Sequence, residues 1–304
     1  MEASLHSYMK VGIVGFMAFP ATSKGEGPII ESIEAIAHDP FFGGIELTHI
    51  ADAQVRAQAA KLLATSGLAV GYGAQPVELG AKLDINSLDA EKRRAAVDRV
   101  RACVDEAIEL GATKLGLLSG PYPGDADAAR AMGLLTESLA EICEHAQRQG
   151  GPAIVMEVFD RTVDKKALIG PTSSGVEIAR ALRPQYPSFG LMIDLSHLPL
   201  QFETSEESLG AAKDYLVHVH IGNCVVKDPS HPAYGDLHPR FDLPGGENGV
   251  QEVREFLRVL LEIGYIGAGK QNIVAFEVKP MPDETSAAVI ANAKRTLMEA
   301  WALL

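Results

Sequence analysis

Cysteine is scarce in this chain and nowhere spaced for pairing. Cys103, Cys143 and Cys224 are an odd number without a Cys-x-x-Cys, which argues against both a disulfide framework and a thiolate zinc site and fits a reducing cytoplasm. No apolar run is long enough to span a bilayer, and the N-terminal MEASLHSYMKVGIVGFMAFP reads as a first strand over Val11 to Phe16 rather than as the apolar core of a signal. The chain is therefore expected to be soluble and unexported. Positive charge is also short, with 27 Lys and Arg against 40 Asp and Glu and a formal charge of −13. Without a basic run to offset it, that charge repels nucleic-acid phosphates. Nor does a Gly-x-Gly-x-x-Gly follow the first strand, so the dinucleotide fingerprint is missing.

What is present is a long alternation. Its 304 residues, 47% hydrophobic, suffice for a full core, and one domain over residues 1–304 is expected. Short β-type apolar runs lie near Val11 to Phe16, Gly44 to His49, Ala69 to Ala74, Lys114 to Ser119, Ala153 to Phe159, Gly190 to Ser196, Leu216 to Gly222 and Asn272 to Lys279. Amphipathic stretches separate them: Pro28 to His38, Ala51 to Ser66, Asp89 to Leu110, Ala126 to Arg148, Ser174 to Arg183, Ser205 to Lys213, Val250 to Glu262 and Glu284 to Leu303. Glycine stops such as Leu110-Gly111 and Ile263-Gly264, and Asp89 as a helix start, support these boundaries. Eight strands in one βα series predict an α/β fold, a (β/α)8 TIM barrel, whose active site lies at the C-terminal ends of the strands.

Four of these strands end in residues that do not belong in an apolar core. Glu157, Asp194, His220 and Glu277 each sit near the C-terminal end of an otherwise apolar run, and strand alternation lets all four point inward. Two glutamates, an aspartate and an imidazole make a hard, oxygen-rich set suited to Mn²⁺ first, with Mg²⁺, Co²⁺ and Fe²⁺ as alternatives. Such an ion polarises the carbonyl of a hydroxy-ketone, and Glu157 and Glu277 can then take and return the neighbouring proton. The alternative is four separate buried polar residues satisfied by hydrogen bonds. His197, three residues after Asp194, is expected at the substrate or supporting a ligand; His218 is expected in the core, His145 at the surface or in packing, and Glu46 and His49 are candidate substrate contacts.

One connection is out of proportion. Residues 223–249, NCVVKDPSHPAYGDLHPRFDLPGGENG, form a Pro- and Gly-rich loop after the seventh strand, and loops of that length are usually functional or disordered. Lys227, His231, Tyr234, His238 and Arg240 are suited to a polyhydroxylated or anionic ligand.

The strand-end set Glu157, Asp194, His220 and Glu277, with His197 after the aspartate, resembles the xylose isomerase-like TIM barrel superfamily of sugar isomerases and epimerases over essentially the whole chain. The resemblance to its ketose 3-epimerases implies that Glu157 and Glu277 bind the metal and act as acid and base, that Asp194 and His220 complete the coordination, and that His197 binds substrate. After the seventh strand the chain departs from those epimerases. There, with the opening VGIVGFMAFPATSKGEGPI, the GAQP turn at Gly73 to Pro76 and EVFDRTVDKKALIGP, it looks more like the branch that includes the larger subunit of C-glycoside deglycosidases. That resemblance implies a carbon–carbon lyase acting on a 3-oxo-C-glycoside, in which removal of the C2 proton gives an enediolate that expels the aglycone carbon from C1. It also implies a small β-rich partner subunit and an oligomeric assembly. Ketose epimerisation or aldose–ketose isomerisation at the same site is the alternative. A nuclease on this barrel, of the endonuclease IV kind, needs further histidine and carboxylate ligands and a basic face, which the charge of −13 opposes. A non-catalytic barrel serving as a binding subunit is the remaining reading.

Overall fold

Strands rich in Val, Ile and Leu and buried on both faces can be satisfied only if helices cover the sheet. The computed structural model, which describes residues 3–304, has that arrangement. Its strands are β1 Lys10–Ile13, β2 Gly44–Leu47, β3 Ala69–Gly73, β4 Lys114–Leu117, β5 Ala153–Glu157, β6 Gly190–Asp194, β7 Leu216–Gly222 and β8 Ile273–Glu277. They hydrogen-bond in the order β1-β8-β7-β6-β5-β4-β3-β2, every neighbouring pair parallel. The remaining gap is bridged by Val14 against Glu46 and by Gly43 N–H on the Val11 carbonyl at 2.8 Å. The result is a nearly closed eight-stranded barrel with helices between the strands.

Local chemistry sets the helix ends. Asp52 and Asp89 accept backbone N–H groups two and three residues on, beginning the helices Ala53–Ser66 and Ala90–Glu109. Thr204 and Glu207 form a reciprocal capping box at Ser205–Ala212. All eight expected helices occur, with ends within two residues of expectation. Cys103, Cys143 and Cys224 are buried and unpaired. Among the described residues no helix is long and apolar enough to cross a membrane.

Three short α-helices were not expected. The stretch Val11 to Phe16 does not continue as a strand: β1 stops at Ile13 and Gly15–Ala18 makes a turn of helix, the Val14 carbonyl accepting the Met17 and Ala18 N–H groups. That turn brings Phe16 to the barrel mouth. Gln75–Ala81 follows β3, and His197–Gln201 follows β6 almost at once. Both are too short to show a helical period in sequence.

Candidate metal centre and active site

The C-terminal ends of β5 to β8 carry the acidic and imidazole groups to one level. Register is staggered around the barrel: Glu157 lies beside Met192, Asp194 beside His220, and Gly222 beside Glu277. Tilt of the strands makes up the stagger. One ligand atom from each of Glu157, Asp194, His220 and Glu277 then falls within 4.8 Å of the other three. His220 turns Nδ1 into this group, 2.6 Å from Glu277 Oε2 and 3.9 Å from both Glu157 Oε1 and Asp194 Oδ2.

Two atoms test whether a cation fits. Glu157 Oε1 and Asp194 Oδ2 are buried carboxylate oxygens without a hydrogen-bond partner, and both face the centre of the group. A buried, unpaired carboxylate oxygen costs several kcal/mol by desolvation, and a divalent ion at that point removes the cost. Their other oxygens are held by the protein: Gln75 Nε2 donates to Glu157 Oε2 at 2.8 Å, and Ser196 N–H donates to Asp194 Oδ1 at 2.7 Å. Sequence reasoning noted the turn containing Gln75 but not its contact, because Gln75 is 82 residues from Glu157 in the chain. Space for it comes from Gly116, where a Cβ would meet the Gln75 amide nitrogen at 2.9 Å.

Below this layer the other nitrogen of His220 is held in place. Glu46, on β2 and buried, places Oε1 2.8 Å from His218 Nε2 and 3.1 Å from His220 Nε2. Its side chain fits because β3 passes with Gly71, whose Cβ would lie 2.8 Å from Glu46 Cγ. Glu46 is thus under the centre rather than a wall of the pocket, and His218 is a core histidine paired to it.

A second cluster adjoins the first. His197 stacks against Phe159, with Nδ1 3.0 Å from the Val158 carbonyl oxygen and Nε2 3.2 Å from Asp236 Oδ1. His238 places Nε2 3.0 Å from the same Asp236 oxygen and 3.5 Å from Glu277 Oε1. Lys165 reaches the other Asp236 oxygen at 3.0 Å. Asp236 was not expected as a site residue; its signal was its place in the long loop two residues before His238. The backbone at His238 has φ 51°, a left-handed conformation that is uncommon outside glycine and frequent at functional sites.

The environments of the acids differ. Burial pushes the Glu157 carboxyl up, and the charges of Glu277 and Asp194 add to this, while His197 and His220 oppose it. Burial acts on Glu277 in the same sense, yet His238 and His220 overcome it and hold that carboxyl down. His238 is desolvated too, but Asp236 and Glu277 raise its pKa to about 9. Two similar strand-end glutamates are therefore biased toward opposite protonation states.

Over these groups lies a cavity of about 170 Å³ whose walls include Phe16, Phe159, Gln75, Lys165, Asp236 and His238. Apolar walls around a few convergent polar groups are usual for small-molecule sites. Of the expected substrate contacts, His238 lines the cavity and His197 lies behind Phe159. The others are elsewhere. His49 Nδ1 is engaged by Glu106 at 2.7 Å. Lys227 pairs with Glu247 at 2.5 Å with its side chain 82% exposed, Arg240 pairs with Glu284 at 2.9 Å, and His231 Nδ1 accepts the Ala233 N–H. The long loop is itself folded: Asn223 and Asn248 brace its two ends, and Cys224, Val225, Ala233 and Phe241 are buried. That packing presents Asp236 and His238 inward and leaves the loop's other basic groups on its outer side.

Comparison with known proteins agrees with this fold. None of the curated proteins matches the chain. Among solved structures, a D-tagatose 3-epimerase-like protein superposes with a TM-score of 0.72 at 18% identity over 96% of this chain and 98% of its own. An L-ribulose 3-epimerase also gives 0.72 at 18% identity, covering 96% of each chain. The 3-keto-D-glucoside 4-epimerase YcjR from E. coli gives 0.66 at 15% identity over 95% of this chain and 99% of its own. Identities this low speak for the shared fold alone. The family model described as xylose isomerase-like TIM barrel matches residues 30–295, so the chain belongs to that family.

Proposed function

We propose that the protein is a divalent-metal-dependent sugar epimerase or isomerase that removes a proton from the carbon next to a carbonyl. The observation that carries this reading is the pair of carboxylates, Glu157 and Glu277, lining one small cavity with His220, and clustered with Asp194 so that unpartnered oxygens of Glu157 and Asp194 face the same point. A cation held by these four residues supplies a Lewis acid for the oxygens of a hydroxy-ketone. The chain's own groups do the rest. Two carboxylates on separate strands let one take the proton and the other return a proton on the opposite face of the carbon. Gln75 keeps Glu157 aimed, the Phe16 and Phe159 rings exclude water, and His238 with Asp236 offers a hydrogen-bonding edge to substrate hydroxyls.

Three similar folds belonging to sugar epimerases or an epimerase-like protein favour this reading. The carbon–carbon lyase on 3-oxo-C-glycosides begins with the same proton removal, but no compared protein supports it. Manganese is our first choice of ion because the donor set is mostly oxygen with one imidazole. The test is incubation of the manganese-loaded protein in D₂O with ketohexoses and with 3-oxo-glucosides. Deuterium at the carbon beside the carbonyl with a new epimer or isomer, and no aglycone released, is expected. Aglycone release selects the lyase, and unlabelled starting sugar sinks both.

A further inference from the structure

The barrel interior carries one more charge, which the chemistry above does not use. Lys114 begins β4, and the register sets it in one row with Glu46 on β2, Gly71 on β3 and Ala153 on β5. Gly71 has no side chain, so nothing in that row stands between Glu46 and Lys114. Burial pushes the Lys114 ammonium toward its neutral form, and the charge of Glu46 opposes this. Across the barrel, Lys114 Nζ donates to the Val217 carbonyl at 2.6 Å. An ammonium has three N–H donors, and that carbonyl takes one.

An acceptor follows in the chain. His218 comes directly after Val217, and its Nδ1 is buried with no hydrogen-bond partner among the described residues. What that atom carries follows from Glu46, whose Oε1 lies 2.8 Å from His218 Nε2 and 3.1 Å from His220 Nε2. A carboxylate has no proton to give, so both nitrogens donate to it. A neutral His218 that donates through Nε2 keeps a lone pair on Nδ1. Such a lone pair is costly to bury unpaired. Lys114, His218 and Glu46 line one void with about 10 Å³ of room, which is the space of a single water. A water there accepts from Lys114 and donates to His218 Nδ1.

We propose that Lys114 is a positioning residue of the metal centre: through one buried water it fixes the His218 ring, and through its charge it holds the Glu46 carboxylate, so that His220 presents Nδ1 to the cation. The inference rests on the metal centre proposed above and not on which sugar reacts there. A ligating imidazole is neutral, so the positive charge facing Glu46 along its row is then that of Lys114.

Two measurements test this. A high-resolution crystal structure of the protein is expected to show one water about 3 Å from both Lys114 Nζ and His218 Nδ1, and its absence overturns the bridge. Calorimetric titration with manganese tests the role. Lys114→Met keeps an unbranched apolar stem and removes the charge; it is expected to bind manganese about tenfold more weakly, the low end of the cost of disturbing the groups behind a ligand. A double variant separates positioning from packing. If Lys114 acts through Glu46, the losses do not add, and Lys114→Met combined with Glu46→Gln binds manganese as Glu46→Gln does alone. Wild-type affinity in Lys114→Met, or losses that add in the double variant, overturns the proposal. A wild-type protein that takes up no manganese sinks the metal centre and this role with it, whereas intact manganese binding without proton exchange in D₂O sinks the sugar reading alone.

Discussion

The barrel mouth and the outer part of the loop 223–249 both concentrate charged and imidazole side chains, but they treat them in opposite ways. On the outer loop each basic group has an ordinary partner at or near the surface: Lys227 has Glu247, Arg240 has Glu284, and His231 folds back on its own backbone. At the mouth the groups are buried and the oxygens outnumber their partners, leaving Glu157 Oε1 and Asp194 Oδ2 without a hydrogen bond. Surface pairs of the first kind contribute little and tolerate loss. Buried unsatisfied oxygens persist only where something else satisfies them, and this distinguishes a ligand site from a scaffold when residue types are the same.

That contrast can be broken by substitution. The largest effect is expected at Glu277: Glu277→Gln should keep the circular dichroism spectrum of the wild type and lower turnover by roughly 10³-fold, within the ~10²–10⁴ that a positioned acid–base group contributes. Turnover near the wild-type rate would remove Glu277 from the mechanism. Next is the support below the mouth. Glu46→Gln should weaken manganese binding about 10–100-fold in a calorimetric titration, the usual cost of losing the carboxylate behind a ligating histidine. An unchanged affinity would reduce the Glu46, His218 and His220 contacts to packing.

A third substitution sharpens the comparison through pH. Glu78 is buried, accepts the Leu118 N–H at 3.0 Å, and has its carboxyl raised from the ordinary 4.5 to about 8, first by burial and then by the charge of Glu157. Since its folded pKa exceeds its unfolded one, the folded state holds more protons between those values, and stability falls as pH rises through that window. Glu78→Gln keeps an acceptor for Leu118 and cannot ionise. It should raise stability over wild type at pH 9 by on the order of 1–3 kcal/mol and change little at pH 4, read from urea unfolding at both pH values. The same gain at both would show that ionisation is not the cause. The smallest effect belongs to the outer loop, where Lys227→Ala should leave both turnover and the midpoint of thermal unfolding as in the wild type; a clear loss of turnover would place the outer loop in the site.

Much of the barrel was legible because each strand is a short apolar run and each long helix has its own start and stop. Asp89 and Gly111 act within a few residues of themselves and need no tertiary context. Glu157, Asp194, His220 and Glu277 stood out for a related reason: a charged or imidazole group at the end of an apolar strand must face something, and parity aims all four inward. The Val11 to Phe16 stretch misled because its run of apolar residues says nothing of the turn at Gly15. The loop misled in part because a histidine, lysine or arginine reads alike whether it faces a pocket or solvent. His238 and Asp236 differ from Lys227 and Arg240 only in how Asn223, Asn248 and Phe241 fold the loop back.

By itself, then, the sequence determined the βα series, the inward parity of the strand ends and the hard character of their donor set, since these depend on local period and residue chemistry. Only the tertiary structure decided the partners. Gln75 on Glu157, Glu46 beneath His220, and Asp236 between His197 and His238 join residues distant in the chain, set by strand stagger and loop packing. The same holds for the cavity over the carboxylates, whose walls Phe16, Gln75, Phe159 and His238 come from separate elements. Space between elements is a property of their packing, and no residue carries it alone.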